Sequence, residues 1–516
     1  MTGVTLSPAS LQVLISRLSG IAEEMGAVLR RAAFSPNIKE RADCSAAVFG
    51  ADGVMLAQAE HIPVHLGSMP ASVRAAIDAL GDDVEAGEQI ILNDPYAGGT
   101  HLNDITLVAP CFVGGRLVGW AANRAHHADV GGSAPGSIPA DATEIQQEGF
   151  RIPPMKLTSE VADLLFASSR TPDERAGDLD AQIGANVLGV RRLSEHADDP
   201  FDEVVEYGRR RVQAVVGALP AGSWSHRDQL DSTGSGAADR GPATIELTLT
   251  VDDGRLRFDF TGSAPQSAGN VNAVEAVTFS AVAFAVRAAL DPTLPANGGV
   301  LESVEVVAPA GSIVSAVFPA AVGAGNVEVS QRVADVCLGA LAQVVPLRVG
   351  GGGQGTMNNV LIGGAGWVYY ETIGGGQGGS ASGPGQSGIH TGMTNTRNTP
   401  IEALERAYPL RVLRYRLRRG SGGAGWSPGG EGIERDLQVL EDVTVSLITE
   451  RRVSQPWGLA GGEPGAVGEN WLVPGGDEER AEPLADKCTI RLAAGDVLRM
   501  LTPGGGGWGD PVRSSP

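Results

Sequence analysis

Several features are scarce in this sequence of 516 residues, and each scarcity argues against a class of protein. Lysine occurs only three times, which leaves few residues able to form a Schiff base. Four cysteines are scattered along the chain without any Cys-x-x-Cys pair, an arrangement that argues against a zinc ribbon and a secreted disulfide scaffold. We therefore expect free thiols and a cytoplasmic location. These cysteines are Cys44, Cys111, Cys337 and Cys488.

Positive charge and long apolar runs are also in short supply. The net charge of −21 disfavours binding to nucleic acid, because neutralising phosphates needs a basic surface. The most apolar stretch, residues 273–290, is interrupted by Glu275 and Arg287, so it predicts a buried helix and no membrane span. The N-terminus shows no basic region followed by an apolar core, so we expect no signal peptide. The sequence contains no G-x-x-x-x-G-K-[ST] motif, and the chain alone is not expected to bind ATP.

Glycine is abundant: the 72 glycines are about twice the usual share and predict many turns and close backbone approaches. Hairpins are expected around residues 51–53, 113–115 and 252–254, because turn residues there separate apolar stretches. We predict a mixed α/β (α+β) fold with several antiparallel β layers, packed helices and glycine-rich loops. Helices are predicted from Ser7-Pro8 and over 70–80, 174–218, 273–290 and 328–344. Short strands joined by tight turns are predicted over 350–386. We divide the chain into three regions: an N-terminal metal-site region (1–230), a central glycine-rich region (231–435) and a C-terminal β-rich region (436–516).

The richest chemistry lies in two segments that flank the predicted hairpin turn at 113–115. The first contains His101 and Asp104, whose spacing can bring both side chains to one ion in a turn. The second contains His126, His127 and Asp129, and the hairpin would return it beside the first. Imidazole with carboxylate suits divalent Zn, Mn or Fe.

Five of the eight histidines fall between residues 61 and 127, a clustering that makes this part of the chain a candidate metal site, with structural hydrogen bonding as the alternative. Adjacent residues of a strand point to opposite faces, so only one of His126 and His127 is an easy ligand, and the spacing does not choose between them. Asp43 is a further candidate carboxylate. His61 and His65 are expected to have a structural role before the helix that follows them.

A second group of candidates lies in glycine-flanked segments that could form the wall of a substrate pocket. Glu371 is a candidate proton carrier, with a structural hydrogen bond as the alternative. His390, Thr394 and Asn395 are candidate substrate contacts.

Taken together, these motifs resemble the B-type component of the hydantoinase B, 5-oxoprolinase and acetone carboxylase alpha-subunit family, nearly from end to end. The matching segments are ERADCSAAVFGADGVMLAQAEHIPVHLGSMP, NDPYAGGTHLNDITLVAP, NRAHHADVGG, DFTGSAPQSAGNVNA, GNVEVSQRVADVCLGAL, HTGMTNTRNTPIEALE, YPLRVLRYRLRRGSGGAGWSPGGEG and TPGGGGWGDP. The set is specific to the family and not to one substrate within it.

The resemblance implies a mononuclear site for one divalent transition metal, and it favours His126 over His127. His127 and Asp129 would then support the ligands or face the substrate, since ligating histidines need a partner for the second ring nitrogen. The implied ligands are Asp43, His101, Asp104 and His126.

The resemblance also implies a partner, a hydantoinase A-type subunit that binds ATP and Mg²⁺, in a heterotetramer or larger assembly. That subunit would phosphorylate a cyclic amide such as a hydantoin, 5-oxoproline or another lactam, and water activated at the metal site of this chain would open the ring. We expect this hydrolase function. The alternatives are the metal-bearing subunit of an ATP-dependent ketone carboxylase of the acetone or acetophenone type, and a non-catalytic structural subunit.

Overall fold

The computed structural model describes residues 6–59 and 62–512. Its helices are α1 (Pro8–Ala32), α2 (Pro36–Lys39), α3 (His65–Leu80), α4 (Ser159–Ser168), α5 (Pro172–Ser194), α6 (Phe201–Val216), α7 (Glu275–Leu290), α8 (Gly298–Leu301), α9 (Ser330–Val344) and α10 (Ile401–Ala407). A five-residue π-helix, Gly325–Val329, leads directly into α9.

The strands of the N-terminal half are β1 (Cys44–Gly50), β2 (Met55–Ala59), β3 (Ile90–Leu92), β4 (Asp104–Val113), β5 (Arg116–His126), β6 (Met155–Lys156), β7 (Gly222–Leu230), β8 (Ala243–Asp252) and β9 (Arg255–Asp259). Those that follow are β10 (Val304–Val307), β11 (Asn359–Gly364), β12 (Trp367–Thr372), β13 (Leu410–Arg418), β14 (Gly432–Val439), β15 (Val443–Ile448), β16 (Glu469–Val473), β17 (Glu482–Leu484), β18 (Lys487–Leu492) and β19 (Val497–Leu501).

These strands form four sheets, and every strand pair is antiparallel except β9 with β10. The first sheet has the order β2-β1-β5-β4-β3-β6, and the second has the order β10-β9-β8-β7. The third is β12-β11-β15-β18, and the fourth is β13-β14-β19-β16-β17. With helices packed against them, these sheets confirm the predicted mixed α/β fold class.

The first sheet is covered on both faces, which explains why its central strands are buried except beside the turn between β4 and β5. On one face, Phe49 and Trp120 pack with Met69 and Val73 of α3. On the other, Val48 and Ala121 pack with Leu18 and Met25 of α1. Burial on both faces favours small and apolar residues in strands. The polar residues Asp104 and His126, at the ends of β4 and β5, therefore lie at the edge of a buried apolar sheet.

The predicted helix from Ser7-Pro8 is confirmed, and its start follows from local chemistry. The Ser7 hydroxyl accepts a hydrogen bond from the Ser10 backbone N–H at 3.1 Å, and Pro8 occupies the first turn, where a missing N–H does no harm. The region 174–218, predicted as helical, contains two helices, α5 and α6. The helical conformation is interrupted between them at residues 195–200, where Pro200 immediately precedes α6.

The glycine-rich region 350–386, predicted to form short strands joined by tight turns, contains two strands, β11 and β12. Several of its other glycines lie against the backbone of another segment, either within this region or in the C-terminal region. A Cβ atom on Gly378 would lie 1.8 Å from the Gly351 carbonyl oxygen, and one on Gly505 would lie 2.1 Å from the Gln377 carbonyl oxygen. These residues are glycines because no side chain fits between the segments.

The predicted boundaries at residues 230/231 and 435/436 stay a prediction, although both fall within hydrogen-bonded sheets. β7 ends at Leu230 and pairs with β8 beyond the first boundary. Arg435 lies inside β14, which pairs with β13 across the second boundary.

Among the described residues, no helix has both the length and the apolar character needed to cross a membrane.

Candidate metal centre

The hairpin of β4 and β5 brings two of the candidate ligands face to face. Its turn residues, Gly114 and Gly115, have φ angles of 59° and 80°, a left-handed conformation typical of two-residue hairpin turns. Asp104, the first residue of β4, is the register partner of His126, the last residue of β5. Directly opposed residues point to the same face of a sheet, so their side chains meet.

His101 reaches the same place through the tight turn that precedes β4. The backbone N–H of Asp104 donates to the His101 carbonyl oxygen at 3.1 Å, which closes the turn. Upstream, Gly98 has a φ of 83°, and a Cβ atom on it would lie 2.5 Å from the backbone of Ala71. Glycine at this position therefore lets the loop pack against α3 and sets the position of His101.

These three side chains form a compact buried cluster. The His101 Nδ1 atom lies 3.1 Å from Asp104 Oδ2, and the His126 Nδ1 atom lies 3.6 Å from Asp104 Oδ1. The two imidazole rings are 5.0 Å apart. Within residues 6–59 and 62–512, this is the group of three whose potential ligand atoms all lie within 4.8 Å of one another.

The donor atoms in this cluster fit a divalent transition metal. Three buried atoms have no hydrogen-bond partner: His101 Nε2, His126 Nε2 and Asp104 Oδ1. Each such atom costs about 1–3 kcal/mol when it is left without a partner. Imidazole nitrogens with a carboxylate oxygen are the ligands that Zn²⁺, Mn²⁺ and Fe²⁺ accept.

The electrostatics of the cluster favour the protonation states that ligands require. Burial lowers the pKa of His126 to about 3, which keeps its imidazole neutral at pH 7. Burial raises the pKa of Asp104, but the charges and hydrogen bonds of the neighbouring histidines outweigh burial and hold this pKa well below its usual range. Neutral imidazole and ionised carboxylate are the forms that bind metals.

Asp43 lies beside the cluster but outside the group of three. Its backbone carbonyl accepts a hydrogen bond from the His126 N–H at 3.1 Å, because β1 pairs with β5. Burial raises the pKa of its carboxyl, Arg41 lowers it and Asp104 raises it, and the net result is a pKa of about 7. A cation in the cluster would favour the ionised form of Asp43.

His65, expected from the sequence to be structural, contacts the cluster directly. Its Nε2 atom lies 3.3 Å from Asp104 Oδ2, and its Nδ1 atom lies 2.9 Å from the Ser45 hydroxyl. The Thr100 hydroxyl also donates to Asp104 Oδ2. These contacts hold one oxygen of Asp104 and leave the other free. The clustering of histidines before residue 127 was the signal for this role. His61 lies outside the described residues.

The structure places His127 and Asp129 away from the three-residue cluster. The His127 Nε2 atom lies 2.9 Å from Gln182 Oε1 of α5, because successive residues at the end of β5 point to opposite sides. Asp129 accepts hydrogen bonds from the backbone N–H groups of Gly131, Gly136 and Arg170. Its carboxylate therefore organises the loop that follows β5.

Glu371 and the remaining candidates belong to a neighbouring region around the end of β12. Glu371 forms a buried ion pair with Arg435 at 2.8 Å, and its role as a proton carrier stays a prediction. The Thr394 hydroxyl is buried and lies 3.4 Å from the Thr396 hydroxyl, whereas Asn395 is exposed. Both ring nitrogens of His390 are buried without a hydrogen-bond partner.

Tyr370 of β12 links this neighbouring region to the cluster. Its ring stacks on His126 with centroids 4.7 Å apart and planes at 14°. Its hydroxyl donates to Asn359 Oδ1 at 2.9 Å. A cavity of about 870 Å³ is lined in part by Tyr96, Gly98 and Phe318, and none of the three clustered side chains lines it.

The fold and the cluster together define an α+β protein with a buried histidine and carboxylate centre at the open end of a β-hairpin. The family model described as Hydantoinase B/oxoprolinase matches residues 7–511. The chain belongs to this family, and the resemblance stated from its motifs is confirmed.

Several relatives align over almost the whole chain. An uncharacterized protein of Methanocaldococcus jannaschii is 42% identical over 97% of this chain and 90% of its own length. 5-oxoprolinase 1 of Arabidopsis thaliana is 39% identical, and the chain spans only 42% of it. A Pseudomonas protein, described as the putative B component of a D-/L-hydantoinase, is 30% identical over 99% of this chain and 91% of its own length.

Two solved structures share the fold. The ATP-dependent caprolactamase from Pseudomonas jessenii superposes with a TM-score of 0.90 at 27% identity, covering 99% of this chain and 92% of the matched chain. An acetone carboxylase in its nucleotide-free form also gives a TM-score of 0.90, at 21% identity, over 98% of this chain and 76% of that one. The second likeness shows the fold alone.

Proposed function

We propose that this chain is the metal-bearing subunit of an ATP-dependent cyclic amidase that opens a phosphate-activated hydantoin or lactam ring. The observation that carries the proposal is the cluster of His101, Asp104 and His126, with three buried donor atoms left without partners in a chain of the Hydantoinase B/oxoprolinase family. The names of the 5-oxoprolinase, hydantoinase and caprolactamase relatives support a cyclic amide as the substrate class.

The residues of the chain have separate tasks in this proposal. His101, Asp104 and His126 would hold the ion, with Asp43 as the fourth ligand. His65 and Thr100 fix one oxygen of Asp104 so that the other points into the cluster. The Tyr370 ring packs on His126 and restricts its rotation. When bound, the ion lowers the pKa of water toward neutrality and so supplies a nucleophile for ring opening.

The partner in this proposal is a hydantoinase A-type subunit that binds ATP and Mg²⁺, assembled with this chain as a heterotetramer or larger complex in the cytoplasm. The Pseudomonas relative supports a partner, because its name describes one component of a larger hydantoinase. The plant 5-oxoprolinase carries more than half of its length outside the matched region, which leaves room for a second catalytic unit in the same chain. The free thiols in the structure suit the cytoplasm.

The test is consumption of ATP by this chain purified together with its A-type partner. The substrate panel contains hydantoins, 5-oxoproline, caprolactam and small ketones, each with and without bicarbonate. The proposal expects turnover with a cyclic amide in the absence of bicarbonate, loss of that turnover in Asp104→Asn, and normal turnover in the exposed control Glu23→Gln.

Two other outcomes would overturn the proposal. Turnover only with a ketone plus bicarbonate would assign the chain to a carboxylase, the alternative whose fold it shares. Normal turnover of a cyclic amide by Asp104→Asn would show that the cluster is structural.

A further inference from the structure

Arg41 is a fully buried cation whose hydrogen-bond partners are all neutral. Its guanidinium donates to Asn37 Oδ1 at 3.1 Å, to Thr372 Oγ1 at 3.0 Å and to the backbone carbonyl of Tyr370. It also lies 4.9 Å from the centre of the Tyr370 ring. Its Nε atom has no partner, and within residues 6–59 and 62–512 no carboxylate oxygen lies within 4.0 Å of it.

This lack of a counter-ion is unusual, because buried charges in proteins are generally paired. Other buried arginines follow the rule: Arg175 pairs with Asp178, and Arg435 pairs with Glu371. Arg124 has no carboxylate partner either, but all three of its nitrogens donate to hydroxyl or carbonyl oxygens of its neighbours. Arg41 combines both features: it has no carboxylate partner and its Nε atom has no hydrogen-bond partner, whereas Arg175 and Arg435, whose Nε atoms are also without partners, each have a carboxylate partner.

His390 adds a second group without partners to the same place. Both of its ring nitrogens are buried and make no hydrogen bond. Burial and, to a smaller extent, the Arg41 guanidinium together lower its pKa to about 3, so the ring is neutral and the two side chains are near enough for their charges to interact. A neutral imidazole has one N–H donor to offer. The residue as a whole is only half-buried, so the segment reaches the surface.

Hydroxyl groups connect Arg41 to the segment that carries His390. The Thr372 hydroxyl, which accepts from Arg41, lies 2.5 Å from the Thr396 hydroxyl, and Thr396 lies 3.4 Å from Thr394. The backbone N–H of Arg397 also donates to the Arg41 carbonyl oxygen at 3.1 Å. Arg41, His390 and the hydroxyls therefore form one polar region.

This region adjoins the candidate metal centre. Arg41 precedes Asp43 by two residues, and the Tyr370 ring that Arg41 contacts stacks on His126. The two carboxylates Asp43 and Asp104 would balance a divalent cation. The charge of Arg41 then has no counterpart, and a small anion beside the centre would supply it.

We propose that Arg41 and His390 form an oxyanion-binding subsite next to the candidate metal centre. The inference deepens the proposed function and rests on it for the identity of the ligand, which is an oxyanion of the reacting molecule. Its source is either the phosphoryl group of the activated amide or the carboxylate that ring opening releases. Arginine suits both, since its planar fork of donors matches phosphate and carboxylate oxygens.

The test measures binding of inorganic phosphate and, separately, of acetate to the full chain by titration calorimetry, with and without added Zn²⁺. The variants are Arg41→Gln, Arg41→Lys and His390→Gln. The matched control is Arg397→Gln, which removes one positive charge from an exposed side chain of the same segment. Melting temperature and circular dichroism establish that each variant is folded.

We expect the wild-type chain to bind at least one oxyanion without metal, and Arg41→Gln to weaken that binding at least tenfold. His390→Gln and Arg41→Lys should weaken it severalfold, so the inference stays testable if Arg41→Gln does not fold. Tighter binding of phosphate than of acetate would assign the subsite to the phosphoryl group, and the reverse order would assign it to the carboxylate.

Three results would overturn the subsite: no binding of either anion, binding that Arg41 and His390 variants leave unchanged, or equal weakening in Arg397→Gln. The proposed function is decided separately, by turnover of cyclic amides. An anion site without turnover keeps the subsite and rejects the cyclic amidase. Turnover without a measurable anion site does the opposite.

Discussion

At the scale of single residues, each of the three clustered side chains has one polar atom in contact with a neighbouring polar group and another polar atom without a hydrogen-bond partner. Asp104 illustrates this: one carboxylate oxygen meets His65, Thr100 and His101, while the other has no hydrogen-bond partner. His101 and His126 each have an Nε2 atom without a partner. Partly satisfied buried groups are costly, so a cation that supplied the missing partners would stabilise the cluster.

The first prediction concerns metal content. His101→Ala and Asp104→Ala should each lower metal from about one ion per chain to a small fraction of that, because the remaining ligands cannot complete a site. Elemental analysis of the purified chain measures this, and circular dichroism checks folding. His196→Ala is the control, because His196 pairs with Asp199 on the surface and should keep the full content. Full metal in both cluster variants would reject these ligands.

At the scale of secondary-structure elements, one β-bulge decides which residues meet. Next to its turn the hairpin pairs Phe112 with Leu117, but the next pair away from the turn is Cys111 with Gly119. Val118 is therefore an extra residue in β5. Without this bulge Asp104 would face Ala125 instead of His126. Because side chains alternate along a strand, a shift of one residue would carry the histidine to the other face.

The π-helix before α9 provides the second prediction, through Glu328. Its Oε1 atom accepts hydrogen bonds from Thr356, Met357 and Asn359, while its Oε2 atom has none. Burial, followed by the charge of Glu450, raises its pKa from 4.5 to about 8. The folded chain then keeps a proton that the unfolded chain releases above pH 4.5. Stability contributed by this group is therefore complete below pH 4.5 and is lost as the pH rises to about 8.

Glu328→Gln cannot release this proton, so its unfolding free energy relative to wild type should increase between pH 5 and pH 8. The increase is at most about 1.4 kcal/mol per pH unit for one proton. Urea unfolding of both proteins at several pH values measures it, with the exposed Glu23→Gln as control. Parallel pH profiles for the wild-type chain and Glu328→Gln would contradict the raised pKa.

The third prediction concerns the interlocked glycine segments. Gly505→Ala should destabilise the chain by several kcal/mol or prevent folding, because its Cβ atom would meet the backbone of residues 377 and 378 at 2.1–2.7 Å. Gly184→Ala is the control: this helical glycine has no atom near its Cβ position, and alanine should stabilise the helix by about 0.5–1 kcal/mol. Thermal unfolding compares them. Equal stability of both variants would show that the close packing is not rigid.

At the scale of the whole molecule, a buried network of charges connects distant parts of the chain. Lys487 of β18 contacts Glu450 at 2.5 Å, and Glu450 in turn lies 3.2 Å from Arg332 of α9. Arg332 and Arg451 both reach Asp228 of β7. These residues come from all three regions of the predicted division, so the network connects those regions through ion pairs.

The fourth prediction tests this network. Lys487→Met should lower the free energy of unfolding by roughly 3–5 kcal/mol, because it leaves Glu450 buried with one cation fewer. Adding Glu450→Gln should recover part of the loss, and chemical denaturation of the single and double variants measures the coupling. Arg116→Ala, which breaks an exposed ion pair with Asp198, is the control and should change little. A double variant no more stable than Lys487→Met would reject the coupling.

The sequence by itself determined those features of the fold that depend on residues close together in the chain. The glycine turn at 113–115, the capped start of α1 and the mixed α/β class all follow from local turn chemistry and hydrophobic patterning, and the structure confirms them. The sequence also identified the histidines and carboxylates able to hold a metal, since residue type restricts ligand chemistry. The division of residues 174–218 into two helices and the irregular packing of most of 350–386 were not evident from it.

Only the tertiary structure decided which of these residues lie close together in space. The bulge at Val118 sets His126 opposite Asp104, and the packing of α3 brings in His65. Arg41 meets Thr372 across more than 300 residues of sequence. The physical reason is that strand register and long-range burial depend on how whole segments pack together, whereas turns and caps depend on a few adjacent residues.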